Sequence, residues 1–142
     1  MKVAFSHIGL NCKDMAVTEA FYTKTFGFKR ARVFEIGENP GDAQIIFLKL
    51  GEVYLELFAA DSNGPAHEND GPSQAGVIRH LAFQVDDVDA VLAKLDDPDI
   101  TLGPATFDDF IEGWKTVWIR DPDGNIVEIS QGYKDDPALV ES

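Results

Sequence analysis

Sulfur and positive charge are what this chain has least of. Of its 142 residues one is a cysteine, Cys12, and two are methionines. A lone cysteine excludes an intrachain disulfide and any cysteine-based zinc cluster, and Cys12 reads as a small inert residue at a strand end. Twelve Lys and Arg stand against 25 Asp and Glu, for a formal net charge of −13. Nucleic acid and anionic membranes repel so acidic a protein, and neither is expected as a partner. A small anionic substrate stays open, because one local cation overrides the global field. No apolar run approaches the length of a membrane span and no signal-peptide pattern opens the chain, so a cytoplasmic location is expected.

What is present suits one compact domain, or two very small modules sharing a core. Apolar residues make up 44% of the chain and aromatic residues 11%, with ten phenylalanines, enough for a sizeable core. Residues 3–11 alternate as a strand, with Phe5, His7, Gly9 and Asn11 on one face. Asp14 is a plausible cap for a helix running to Phe26, with Met15, Thr18, Tyr22 and Phe26 on one side and Gly27 as its stop. Extended segments follow at residues 29–36, 43–50 and 53–58, joined by a Gly/Asn/Pro loop and a tight Gly51-Glu52 turn. Residues 59–76 lack periodicity and read as a mobile connector, with His67 exposed in it.

The same order then returns. Residues 77–85 read as a strand with Ile78, His80, Ala82 and Gln84 on one face. Asp86 or Asp87 caps a helix through Val88, Val91, Leu92 and Leu95, ended with help from Pro98. Three more extended pieces lie at 101–106, 114–120 and 125–130. Before the last, Asp121-Pro122-Asp123-Gly124 reads as a turn. Each half is strand, helix, strand, strand, strand: an α+β chain of paired βαβββ modules. A single domain over 1–142 is expected, with modules at about 1–58 and 77–133 and a polar, fraying tail at 134–142.

The chemistry sits at equivalent places of the repeat. Glu128 lies on a strand among apolar neighbours, which is costly unless something positive meets it. His7 and His80 are 73 positions apart, and Glu56 and Glu128 are 72 apart. Singly, each has an ordinary reading: a hydrogen-bonded histidine in a strand, a glutamate facing solvent. Together they differ, because matching offsets put like residue types at like positions in both copies. The expectation is that His7, Glu56, His80 and Glu128 converge and bind one divalent cation. Two imidazoles and two carboxylates suit nickel, cobalt, zinc, manganese or iron(II), with positions left for water or substrate. Trp114, Trp118 and Phe110 could line an apolar substrate pocket or belong to the core. Lys115 and Arg120 could meet an anionic substrate or be exposed strand charges. Residues 108–113 form a flap or a surface loop.

These motifs carry a resemblance. His7-Ile8-Gly9-Leu10, Phe21-Tyr22-Thr23-Lys24-Thr25-Phe26-Gly27-Phe28, His80-Leu81-Ala82-Phe83-Gln84-Val85-Asp86-Asp87 and Asp121-Pro122-Asp123-Gly124-Asn125-Ile126-Val127-Glu128 together resemble the vicinal oxygen chelate superfamily. It includes glyoxalase I, methylmalonyl-CoA epimerase, extradiol dioxygenases and fosfomycin- or bleomycin-resistance proteins. The resemblance implies paired βαβββ modules forming a curved mixed sheet around a metal site, built within one chain or across a homodimer. It implies a lyase or isomerase of the glyoxalase I (lactoylglutathione lyase) type, moving a proton alpha to a carbonyl through an enediolate, with Glu128 or Glu56 as the base. A small carbonyl compound is the implied substrate, met also by Asn11, Tyr54, Trp114 and Trp118. Alternatives are an acyl-CoA epimerase, a ring-cleaving extradiol dioxygenase, and a non-catalytic binding or resistance protein. Many bacterial glyoxalases carry an arginine four residues after the first histidine, where it helps hold a glutathione carboxylate. Here that place is Asn11, an uncharged amide that cannot form the same ion pair.

Overall fold

The structure, a computed structural model, describes residues 1–38 and 43–140. Residues 39–42, in the Gly/Asn/Pro loop expected between the second and third strands, and tail residues 141 and 142 lie outside the described residues. The chain divides into two compact units, Met1–Ala66 and His67–Ser142. Each repeats the order that its sequence pattern predicts, and each carries its own four-stranded mixed sheet. No helix among the described residues is long and apolar enough to cross a membrane.

In the first unit, β1 (His7–Cys12), α1 (Met15–Phe26), β2 (Lys29–Glu35), β3 (Gln44–Leu50) and β4 (Val53–Ala59) form a sheet of order β1-β4-β3-β2. β1 runs parallel to β4, and the other pairings are antiparallel. The first strand is shorter than its alternation predicts. Its parallel partner begins at Val53 after the Gly51-Glu52 turn, so only residues from His7 onward find a ladder partner. Before them a single bond joins the Tyr54 N–H to the Ser6 carbonyl.

Asp14 starts α1 as expected, its Oδ1 accepting from the N–H groups of Ala16 and Val17, and Gly27 stops it at φ 86°. That left-handed backbone is one glycine adopts without steric cost. Thr18, Tyr22 and Thr25 are the buried residues of the helix, which lies against β4. Thr25 therefore joins the inward face, and Met15 and Phe26 stay half-buried at its margin. Tyr22 meets Phe28 edge to face at 6.0 Å, and Leu10, Leu48, Leu55 and Leu57 of the strands are buried as they are. Full burial of each such side chain contributes about 1.5–3 kcal/mol.

In the second unit, β5 (Leu81–Gln84), α2 (Val88–Lys94), β6 (Ile100–Thr106), β7 (Lys115–Arg120) and β8 (Ile126–Gln131) form a sheet of order β5-β8-β7-β6, with β5 parallel to β8. Asp87, not Asp86, caps α2 by accepting from the Ala90 N–H. Gln131 Oε1 accepts from the Val88 N–H at 2.7 Å and so fastens the helix start to β8. The fifth strand is also shorter than predicted, and His80 stands just before it. The tail carries a short helix, α3 (Pro137–Val140), whose first turn is capped by Asp136.

The turn before β8 depends on one buried carboxylate. Asp121, 5% exposed, accepts from the N–H groups of Asp123 and Asn125 through Oδ1 and from the Asn125 side-chain amide through Oδ2. Gly124 completes the turn at φ 87°. Asp121→Ala leaves these donors without their acceptor and should cost about 2 kcal/mol. Both tryptophans lie in this unit, so urea unfolding followed by tryptophan fluorescence should show a lower midpoint with an unchanged slope.

Candidate metal centre

Each sheet has one glutamate on an interior strand and one histidine beside it. On β4, Leu55 and Leu57 are buried toward α1, and Tyr54, Glu56 and Phe58 take the opposite face. The parallel register sets His7 opposite Tyr54, Gly9 opposite Glu56 and Asn11 opposite Phe58, so all six share that face. On the other side of Glu56 the antiparallel register places Phe47. His7 Nε2 lies 3.3 Å from Glu56 Oε1, its Nδ1 lies 2.8 Å from Ser6 Oγ, and its ring meets Phe47 edge-on at 5.6 Å.

The second unit repeats the arrangement. Glu128 on β8 stands between Ala82 of β5 and Trp118 of β7. His80 Nε2 lies 3.1 Å from Glu128 Oε1, and the His80 ring meets Trp118 edge-on at 6.5 Å. A small residue flanks each glutamate on one side and an aromatic residue on the other. The His80 side chain is 22% exposed and Glu128 14%, against 40% and 18% for His7 and Glu56.

The surroundings of the two rings differ. His80 Nδ1 is 2.7 Å from the backbone carbonyl of Asp70, a group that only accepts, so this contact is a hydrogen bond with the proton on Nδ1. The ring then faces the Glu128 carboxylate through Nε2. Two electron-rich atoms at that separation attract only through a cation, either a further proton on the ring or a metal ion held by both. Ser6 Oγ both donates and accepts, so it leaves the His7 tautomer open.

Within each pair the donor types and their spacing match two ligands of a divalent metal. Donor atoms 3.1 and 3.3 Å apart span an edge of a coordination polyhedron with metal–ligand distances of about 2.0–2.3 Å. Within either unit the donors come in twos; no group of three or more His, Cys, Asp or Glu suited to a metal occurs among the described residues.

The comparisons with known proteins agree with this architecture. Residues 4–129 match the Glyoxalase/Bleomycin resistance protein/Dioxygenase superfamily. The chain belongs to that superfamily. Within it, a glyoxalase family protein of Enterococcus faecalis is 34% identical, the match covering 87% of this chain and 94% of that one with a TM-score of 0.64. The uncharacterized protein YaeR of Escherichia coli is 29% identical over 124 residues, 87% of this chain and 92% of its own. The fosfomycin resistance protein FosX of Listeria monocytogenes, solved with manganese(II) and sulfate, shares the fold at 18% identity and a TM-score of 0.69, over 94% of this chain and 95% of its own.

The other residues singled out in the sequence are placed as follows. Asn11 is exposed and Tyr54 half-buried, on the same face as Glu56. Lys49 Nζ lies 5.6 Å from the centre of the Tyr54 ring. Trp118 is buried opposite Glu128, and Trp114 is half-buried with its Nε1–H donating to Ser130 Oγ at 3.0 Å. Phe110 is 79% exposed on a turn that the Asp108 side chain closes by accepting from the Gly113 N–H. Lys115 pairs with Asp89 and Arg120 with Asp99.

His67, expected to be exposed, is half-buried, and its backbone is tied to Arg120 and Gly124. Sequence reading did not single out Ser6, Phe47 or Asp70. Phe47 was within reach, since it occupies in the first copy the place of Trp118 in the second.

The difference between the rings is measurable in metal-free protein. His80→Ala removes two contacts of a largely buried ring and should cost about 1–3 kcal/mol. His7→Ala, at a more exposed ring, should cost less than about 1 kcal/mol. Urea titrations of the two variants give the comparison, and equal losses would contradict the asymmetry.

Proposed function

We propose that this chain is a metal-dependent enzyme that moves a proton on the carbon next to a carbonyl group of a small molecule. In this reading His7, Glu56, His80 and Glu128 together hold one divalent ion, within one chain or across a homodimer. The observation that carries it is the duplicated pair: imidazole Nε2 within 3.3 Å of carboxylate Oε1 at corresponding places in both units. Both pairs also carry the same flanks, a small residue on one side and an aromatic ring on the other.

Two imidazoles with two carboxylates suit nickel, cobalt, zinc, manganese or iron(II). Such an ion supplies Lewis acidity toward a substrate oxygen and so eases deprotonation of the adjacent carbon. Glu128, or Glu56 in the other unit, takes the proton and returns it. Asn11 offers an amide donor and acceptor on the face of Glu56, and the Tyr54 hydroxyl lies on the same face. Trp118 presents an apolar wall beside Glu128 and His80. Trp114, its indole N–H committed to Ser130, serves by shape.

Membership of the superfamily and the likeness to FosX, solved with manganese(II), support a metal-dependent protein on this fold; the lyase or isomerase chemistry of the glyoxalase I type is our reading of the two histidines and two glutamates. Asn11, at the place of the glutathione-holding arginine, favours a carbonyl substrate other than a glutathione adduct. An acyl-CoA epimerase would use the same four ligands and the same proton transfer.

Elemental analysis of purified protein, then chelation and reconstitution with each of the five metals, tests the reading. About one equivalent of metal is expected per four-ligand site. Deuterium from solvent should enter the α-carbon of small carbonyl substrates, stop on chelation and return with metal. Glu128→Gln or Glu56→Gln, whichever removes the base, should slow exchange by about 100-fold or more. Absence of exchange with every metal would overturn the proposal. Oxygen uptake with catechols would move the chain to the dioxygenases, and ligand binding unchanged by metal removal to the non-catalytic binders.

A further inference from the structure

The stretch 60–80 contains neither helix nor strand, yet its central part is fastened at every residue. The His67 N–H donates to the Gly124 carbonyl, and the His67 carbonyl accepts from Arg120 Nε at 2.7 Å. The Asn69 carbonyl accepts from Thr101 Oγ1 at 2.6 Å. The Asp70 carboxylate pairs with Arg79 at 3.0 Å, and its carbonyl receives His80 Nδ1 at 2.7 Å. The Gly71 N–H closes a turn on the Glu68 carbonyl. Gly71 sits at φ 114°, and a Cβ there would overlap the Arg79 carbonyl oxygen.

So dense a set of ties on an irregular segment needs a reason beyond chain connection. Arg120, Thr101 and Arg79 come from separate parts of the second unit, and all three act on the five residues whose carbonyl meets the histidine ring. The Arg79–Asp70 pair brackets the contact, because each partner is covalently next to, or identical with, a residue that makes it. Gly71 lets the backbone lie against Arg79, and no other residue type fits that space at that φ.

We propose that residues 67–71 are a positioning strap for His80. The Asp70 carbonyl holds the ring as its Nδ1–H tautomer and aims the Nε2 lone pair at the place shared with Glu128 Oε1. His7 has no such strap, since its Nδ1 partner is the hydroxyl of Ser6. The tautomer and orientation stand on this geometry alone; their use in holding a metal rests on the proposed function. Asp70, Asn69, Thr101 and Gly71 are thus positioning residues, acting on the ion only through the ring.

The test uses full-length metal-free protein with 15N-labelled histidine. Long-range proton–nitrogen spectra at alkaline pH read the tautomer of each ring. Wild type should show Nδ1–H at His80. In Gly71→Ala, and in the near-isosteric Thr101→Val, that signature should give way to a mixture while the His7 signals stay unchanged. Isothermal titration with nickel(II) or manganese(II) should then show affinity about 10–100-fold lower in both variants.

Thr101→Val retains Gly71 and so reads the same contact should Gly71→Ala fail to fold. Folded variants with an unchanged His80 tautomer would overturn the strap. A changed tautomer in a protein whose wild type binds no divalent ion would uphold the strap and defeat the metal reading. Weakened metal binding with an unchanged tautomer would count against it, marking the loss as general destabilisation.

Discussion

Everything near the candidate centre follows from placing a carboxylate on an interior strand of a sheet with an aromatic ring on one side. Glu56 and Glu128 are at most 18% exposed, between Gly9 and Phe47 in one unit and Ala82 and Trp118 in the other. A carboxylate so screened from water is held only by a cation or by strong hydrogen bonds. The strand supplies neither, because its own N–H groups are spent in the ladders. The imidazole one strand away is the group the fold delivers.

A duplicated module preserves what packing demands and releases what it does not. The inward faces repeat position by position: Ile8, Leu10, Leu55 and Leu57 in the first unit correspond to Leu81, Phe83, Val127 and Ile129 in the second. The histidine and glutamate repeat as well, with the separation of Nε2 and Oε1 nearly equal. What has diverged is the partner of the remaining ring nitrogen. A hydroxyl serves His7 and a backbone carbonyl serves His80, so one ring is adaptable and the other fixed. The copies keep the same donor types and differ in how firmly each donor is aimed.

Much of this is legible in the amino-acid sequence. Alternation, the Asp14 cap, a cap at Asp86 or Asp87, the Gly27 stop and the Asp121 turn are local effects, and each residue type announces its own backbone preference. The nearly equal spacings, 73 positions from His7 to His80 and 72 from Glu56 to Glu128, marked the four residues as equivalent places of the repeat. Strand ends were not legible: residues 3–6 and 77–80 alternate correctly yet lack a ladder partner, and pairing is a property of two segments rather than one. Nor was the strap legible. Its working group is the carbonyl of Asp70, which every residue type possesses, and its ties come from Thr101 and Arg120, distant along the chain. A run of Asp, Asn, Gly and Pro signals irregular backbone, and irregular backbone is as compatible with a bound segment as with a free one.

The strand order explains why the histidines need outside support at all. The glutamates ride on β4 and β8, each bonded on both sides. The histidines ride on or beside β1 and β5, each with one neighbour in its own sheet among the described residues, and at their very beginnings: His7 is the first residue of its strand and His80 precedes its own. Strand ends fray, since a terminal residue has fewer ladder bonds to hold it. An imidazole that must point at one carboxylate oxygen from such a position is poorly fixed by the sheet alone. The remaining restraint has to come through the ring, at the nitrogen that does not face the glutamate. Ser6 supplies it from the adjoining residue in one copy. In the other it comes from ten residues away along the chain, which is what makes a fastened segment before β5 structurally necessary.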